Sequence, residues 1–135
     1  MQNKSLAQDY LFRAKARLLS IQVLMAEKSW ADVVRESQEV VELALKGLLR
    51  SYNILPPRVH DVSAILINEK SNLPTSLQED LGKMAQISKN LRRDRELAFY
   101  GSEDLTPSDF YSEEDAKEAF TGAQWIVKSI EPHIK

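Results

Sequence analysis

The chain has no cysteine, which excludes disulfides, zinc–thiolate sites and thiol catalysis. It has only two histidines, His60 and His133. Neither has a ligand-spaced companion, and there is no His-Glu-x-x-His pattern, so no metal is expected. No apolar run approaches the roughly 20 residues needed to span a bilayer. The stretch Met1-Gln2-Asn3-Lys4-Ser5 leads into an amphipathic pattern rather than an apolar signal core. Absence of cysteine also fits a reducing compartment, so the expectation is a soluble cytoplasmic protein. The net charge of −2 gives no global basic field, and any nucleic-acid contact must come from a local patch. Strand-like alternation, internal repeats and low-complexity segments are all missing.

Glycine and proline are scarce too. Only four glycines and five prolines occur, and the prolines fall between periodic segments, which argues for a few long helices. With 135 residues, 43% hydrophobic and 28% charged, the chain has the composition and size of one globular domain over residues 1–135. The predicted fold is all-α, an antiparallel up-and-down bundle of about five helices.

The first helix is expected over residues 5–27, with Ala7, Leu11, Ala14, Leu18, Ile21 and Met25 forming one apolar stripe. Arg13, Lys15 and Arg17 fall off that stripe. Lys28-Ser29 breaks the pattern, and Ser29 reads as the N-cap of a second helix over residues 30–52. That helix has an apolar face broad enough to touch several neighbours. Gly47 lies inside it at a propensity cost of about 1 kcal/mol relative to alanine, which close approach of another helix would compensate. Pro56-Pro57 forces a connector. A short helix follows over residues 59–69, and a fourth starts near Thr75 and ends near Tyr100, with Gly101 as its C′ residue. Residues 102–111 read as polar loop. Ser112, with Asp115 three positions on, reads as a capping box opening a last helix that runs to about Ile130 and stops at Pro132.

The densest chemistry lies in Leu91-Arg92-Arg93-Asp94-Arg95-Glu96-Leu97-Ala98-Phe99-Tyr100-Gly101. Arg92, Arg93 and Arg95 stand within four residues, with Tyr100 close behind. Two readings apply. Charge runs of this kind are commonly solvated helix surface, with pairs such as Arg92 and Glu96 worth a few tenths of a kcal/mol. Alternatively, Arg93 and Tyr100 are two turns apart and share one side of a helix, a pairing suited to phosphates and bases.

Together with Trp30-Ala31-Asp32-Val33-Val34-Arg35-Glu36-Ser37-Gln38-Glu39-Val40-Val41-Glu42-Leu43-Ala44-Leu45-Lys46-Gly47 and Pro56-Pro57-Arg58-Val59-His60-Asp61, this segment resembles a HEPN domain (higher eukaryotes and prokaryotes nucleotide-binding). The resemblance covers nearly the whole chain. It implies a helical nucleotide- or RNA-phosphate-binding module, with Arg92, Arg93, Asp94, Arg95 and Tyr100 as nucleotide- or anion-binding residues and no cofactor. In the ribonuclease members of the family, two protomers share a cleft built on an arginine, a polar residue and a histidine. Here Arg93 and Asp94 match the first two positions and Ala98 stands at the third. Alanine cannot transfer a proton as histidine does, so the resemblance implies binding without cleavage and no confident catalytic residue. The alternative it leaves open is a metal-independent endoribonuclease toxin with a non-histidine motif. A non-catalytic dimerisation scaffold is a third reading. The toxin branch of the family implies a homodimer, a toxin–antitoxin-like pairing with a minimal nucleotidyltransferase, and Tyr100 as a modification site.

Other clusters have plainer readings. His60 and Asp61 suit the opening of the third helix, and His133 lies near the end of the chain. Glu36, Glu39 and Glu42 lack the Glu-x-x-His pairs of a di-metal bundle and read as solvated or ion-paired. Asp104, Asp109, Glu113, Glu114 and Asp115 complement a helix dipole or face the arginines. Trp30 and Trp125 read as core or interface anchors.

Overall fold

A computed structural model describes residues 5–56, 62–93 and 106–135, with Arg93 described in its backbone. Among these described residues six helices form: α1 (Leu6–Ala26), α2 (Trp30–Ser51), α3 (Ser63–Asn68), α4 (Gln78–Arg93), α5 (Pro107–Phe110) and α6 (Glu113–Ile130). Single 3₁₀ turns lie at Lys70–Asn72, Thr75–Leu77 and Glu131–His133. Among the described residues there is no strand, so the all-α expectation holds. The helix beyond the expected five is α5, one turn inside the stretch read as loop. Its local cause is visible: Thr106 Oγ1 accepts from the Asp109 backbone N–H at 3.2 Å and Pro107 occupies the first helical position, where its missing N–H costs nothing.

Helix ends follow local chemistry. Ser5 caps α1 by accepting from the Gln8 N–H. The α1 end closes with Lys28 N–H to the Met25 carbonyl and Ser29 N–H to the Leu24 carbonyl, both 3.0 Å, while Lys28 adopts φ 59°. The α2 end repeats the pattern, Asn53 to Arg50 and Ile54 to Leu49, with Asn53 also at φ 59°. These are paired closures around a left-handed residue, a conformation asparagine tolerates and lysine adopts at a cost. Ser29 stands at the N-cap of α2 without capping it; its hydroxyl donates to Asp32 instead, at 2.6 Å. Ser112 and Asp115 do form the expected reciprocal capping box of α6.

α2 is the central helix, packing on α1, α4 and α6. Val33, Val40, Val41, Ala44, Leu45, Leu48 and Leu49 are all sealed in the core. Each larger side chain among them contributes on the order of 1.5–3 kcal/mol through burial. Gly47 explains itself: a Cβ there would sit 3.2 Å from the Ala7 carbonyl oxygen and 3.4 Å from Tyr10 Cβ, so α1 crosses at the closest approach alanine would obstruct.

Chain direction follows from end-to-end contacts. Lys135 meets Ser5 and Ser51 through hydrogen bonds of 3.1 Å each, placing the end of the chain beside the start of α1 and the end of α2. Lys15 pairs with Glu131 at 2.6 Å, so α6 runs antiparallel to α1. Ser76 lies 3.4 Å from His133, so α4 starts where α6 ends. The long helices therefore run up, down, up and down. The Arg93 end of α4 shares one end of the bundle with the start of α6, the end of α1 and the start of α2.

Candidate functional site

α4 carries the arginine segment to that end. Leu81, Met84, Ala85, Ser88 and Leu91 face inward and are buried, which fixes the helix's rotation. Arg92 is then exposed in the last described turn, and it makes no ion pair among the described residues. The α4 backbone reaches Arg93. Asp94, Arg95, Ala98, Tyr100 and Gly101 lie outside the described residues, as do His60, Asp61 and Asp104. Of the expected site, the structure places Arg92 and the Arg93 backbone at one helix end.

Beside that end is a groove of about 750 Å³ between α4 and α6. Lys83, Ile87 and Asn90 form one wall, Glu114, Glu118 and Trp125 the other, with Val34 at the floor. A Cβ at Gly122 would stand 3.4 Å from the Ile87 side chain, an ordinary van der Waals contact. Lys83 Nζ lies over the Trp125 ring, 4.2 Å from its centroid, an attraction that holds the ammonium against the wall. Trp125 is thus a groove-wall anchor, half-buried against the core.

The groove's electrostatics distinguish it from an anion pocket. Its cations are Lys83 and Lys117, and its carboxylates are Glu114, Asp115 and Glu118. Lys117 is already bonded to Glu113 at 2.6 Å. That hydrogen bond, then the charge, holds the Glu113 carboxyl below its ordinary value and the Lys117 ammonium above its own. A phosphate in the groove would meet a wall richer in carboxylates than in available ammonium groups.

The acidic cluster divides by local role. Asp109 accepts from the Thr106 hydroxyl at 2.9 Å, Asp115 completes the capping box, and Glu113, Glu114 and Asp115 occupy the first turn of α6. Helix-dipole complementarity accounts for these.

One polar feature escaped the sequence reading. Glu36 pairs with Arg17 and Arg35 at 2.7 and 3.2 Å, as an ion-paired surface residue should. Glu42 differs: it is buried, accepts from Gln38 Nε2 at 3.0 Å and from Lys46 Nζ at 2.8 Å. Gln38, Glu42 and Lys46 make a polar row along one flank of α2. Ser37 Oγ and Gln38 Oε1 are buried without a hydrogen-bond partner among the described residues. The spacing of four was readable; the burial was not.

This helix order matches a family model. The HEPN domain model covers residues 7–132. The chain belongs to the HEPN family. No curated protein and no solved structure shows significant similarity to it. Membership gives this HEPN domain a nucleotide- or RNA-related role in the coarse sense. Among the described residues no helix is long and apolar enough to cross a membrane.

Proposed function

We propose that this HEPN domain binds a nucleotide or RNA phosphate at the arginine end of α4 and leaves it uncut. Arg92, Arg93 and Arg95 supply the cationic donors, with Asp94 and Tyr100 alongside. The observation that carries the reading is the family match over residues 7–132 combined with Ala98 at the position where the ribonuclease members place histidine. Guanidinium groups bind phosphate bidentately, whereas no imidazole is positioned in the motif to move a proton. The domain acts as a homodimer, paired in toxin–antitoxin fashion with a minimal nucleotidyltransferase that recognises or modifies Tyr100.

Fluorescence anisotropy with a labelled short RNA and with labelled ATP tests the binding. The expected result is saturable binding that weakens at least tenfold in Arg93→Ala and does not produce cleaved RNA. RNA cleavage that disappears in Arg93→Ala would overturn this reading in favour of the endoribonuclease toxin. Absence of both binding and cleavage would leave a dimerisation scaffold. The partner is tested by intact mass after incubation with ATP and a candidate nucleotidyltransferase: a nucleotide adduct lost in Tyr100→Phe supports it, and an unchanged mass of the wild-type chain refutes it.

A further inference from the structure

The groove between α4 and α6 is poor ground for phosphate, yet its features converge on an elongated cation. Along its α6 wall, Glu114, Glu118, Thr121 and Trp125 recur at steps of four, three and four, so they form one row. Glu114 and Glu118 stand one turn apart, with Cβ atoms about 5–6 Å from each other, a spacing at which like charges repel. Both are exposed, and neither is ion-paired among the described residues. The groove's own cations do not relieve them. Lys117 is engaged by Glu113, and Lys83 lies over Trp125 at the other end of the row. Val34 and Ile87 make the surface beside the row apolar.

We infer that this groove binds a linear polyamine, a chain of ammonium groups joined by short methylene links. Each part has a counterpart. One ammonium takes the face of Trp125, where Lys83 Nζ already lies 4.2 Å from the ring centroid. Lys83 is exposed, so it holds the ring as a replaceable stand-in for a ligand cation. The following ammonium groups meet Glu118 and Glu114. The methylene links cover Val34 and Ile87, as lysine stems cover apolar surface. From Glu114 to Trp125 the helix rises about 16 Å at 1.5 Å per residue, which matches an extended tetra-amine such as spermine. The groove's volume of about 750 Å³ falls within the range of about 300–1,000 Å³ for small-molecule sites. Single exposed ion pairs are weak. Joined on one chain they act together, because each contact raises the effective concentration of the next.

Other occupants fit less well. No group of three acidic or imidazole side chains among the described residues gathers to hold a metal ion. An extended peptide would lay backbone N–H and C=O groups on Val34 and Ile87, which cannot bond them, whereas an amine places methylenes there. Amine binding in the groove is independent of what the arginines hold.

Titration calorimetry at low salt and without nucleotide, using putrescine, spermidine and spermine, tests the site. Affinity should rise with the number of amines, spermine binding about tenfold or more tighter than putrescine. Diffuse attraction to an acidic surface gives the same order, so variants decide. Lys83→Gln uncovers the ring and should tighten spermine binding about two- to fivefold, the range of an exposed cation–π contact. Lys89→Gln removes the same charge from an exposed position of α4 outside the groove and should change affinity by about twofold at most. Glu118→Gln should weaken binding about two- to fivefold. In a Trp30→Phe chain Trp125 is the one remaining tryptophan, and its fluorescence should change with the same midpoint as the heat. Circular dichroism establishes that each variant is folded. Absence of saturable spermine binding overturns the site. Equal effects of Lys83→Gln and Lys89→Gln overturn it too, because the attraction is then diffuse. Blocked tetralysine, with the same number of charges as spermine, should bind more weakly; tighter binding would assign the groove to a protein segment instead. Arg93→Ala, which tests the phosphate reading, should leave spermine binding in place.

Discussion

Gly47 and Gly82 form a matched pair that tests the packing of α1 on α2. Both are helical glycines, so replacement by alanine carries the same intrinsic gain of about 1 kcal/mol. Their surroundings are opposite. A Cβ at Gly82 meets nothing within 4 Å, and Gly82→Ala should keep the whole gain. Unfolding entropy of about 2.1 cal/mol/K per residue over 135 residues is about 280 cal/mol/K, so 1 kcal/mol moves the midpoint by about 3.5 °C. Gly82→Ala should therefore melt about 3–4 °C above wild type. At Gly47 the new Cβ would stand 3.2 Å from the Ala7 carbonyl oxygen. That atom is backbone in the first turn of α1, and this turn is held by its Ser5 cap and by the Ser5 contact to Lys135. Relief requires the turn to lift from α2. Overpacking costs about 1–3 kcal/mol; set against the propensity gain, Gly47→Ala should be roughly 0–2 kcal/mol less stable than wild type, a fall of up to about 7 °C. Gly47→Val loses the gain as well and should fall further. Thermal melts followed by circular dichroism read all three. If Gly47→Ala rises as much as Gly82→Ala, the close approach of α1 is not what holds glycine at this position, and the argument fails.

Three other outcomes follow from the same geometry. Glu42→Ala removes the acceptor shared by Gln38 and Lys46 and leaves a largely buried ammonium unpaired; about 3 kcal/mol should be lost, visible in urea denaturation as a lower midpoint with an unchanged slope. Ser37→Ala deletes a buried hydroxyl that has no partner among the described residues, so stability should hold or rise, and a loss above about 1 kcal/mol would show that the hydroxyl is bonded. The Glu113–Lys117 pair predicts a weak pH effect with a fixed sign. Glu113 titrates below its ordinary value because Lys117 bonds it, so the contribution is present above the unfolded glutamate value and is lost as pH falls through the lowered one. Lys117 titrates above its ordinary value, so the contribution is lost again as pH rises through it. Both side chains are exposed, so Glu113→Gln should melt with wild type at neutral pH; a clear drop there would mean the pair is less solvated than its surroundings indicate.

Much of the fold was readable because helices are local objects. The start of α1 at Ser5, the capping box at Ser112 and Asp115, and the break at Pro56 depend on groups a few residues apart. The breadth of the α2 face announced a central helix. Misses occurred where two local signals competed. Ser29 has the right identity for a cap, yet its hydroxyl bonds to Asp32. Thr106-Pro107 opens a turn of helix that the polar composition around it disguised. Lys28 takes a left-handed closure that glycine or asparagine would have signalled. Of the candidate site, the order and spacing of Arg92, Arg93, Asp94, Arg95 and Tyr100 were visible in the chain. The family resemblance drawn from them is matched by the HEPN domain model over residues 7–132.

The sequence alone determined the long helices, the capping box at Ser112 and the motif with alanine at the histidine position, because these are set by neighbours along the chain. It also singled out the stripe of α1 that contains Ala7, Ala14 and Ile21, and these three are buried. What packing decided is how far the apolar side chains beside that stripe, Phe12, Leu19 and Val23, stay exposed. Packing likewise buried Glu42, pressed α1 onto Gly47, and brought the arginine end of α4 beside the acidic start of α6. These outcomes depend on which surfaces residues distant in the chain present to each other, and helical periodicity carries no information about that.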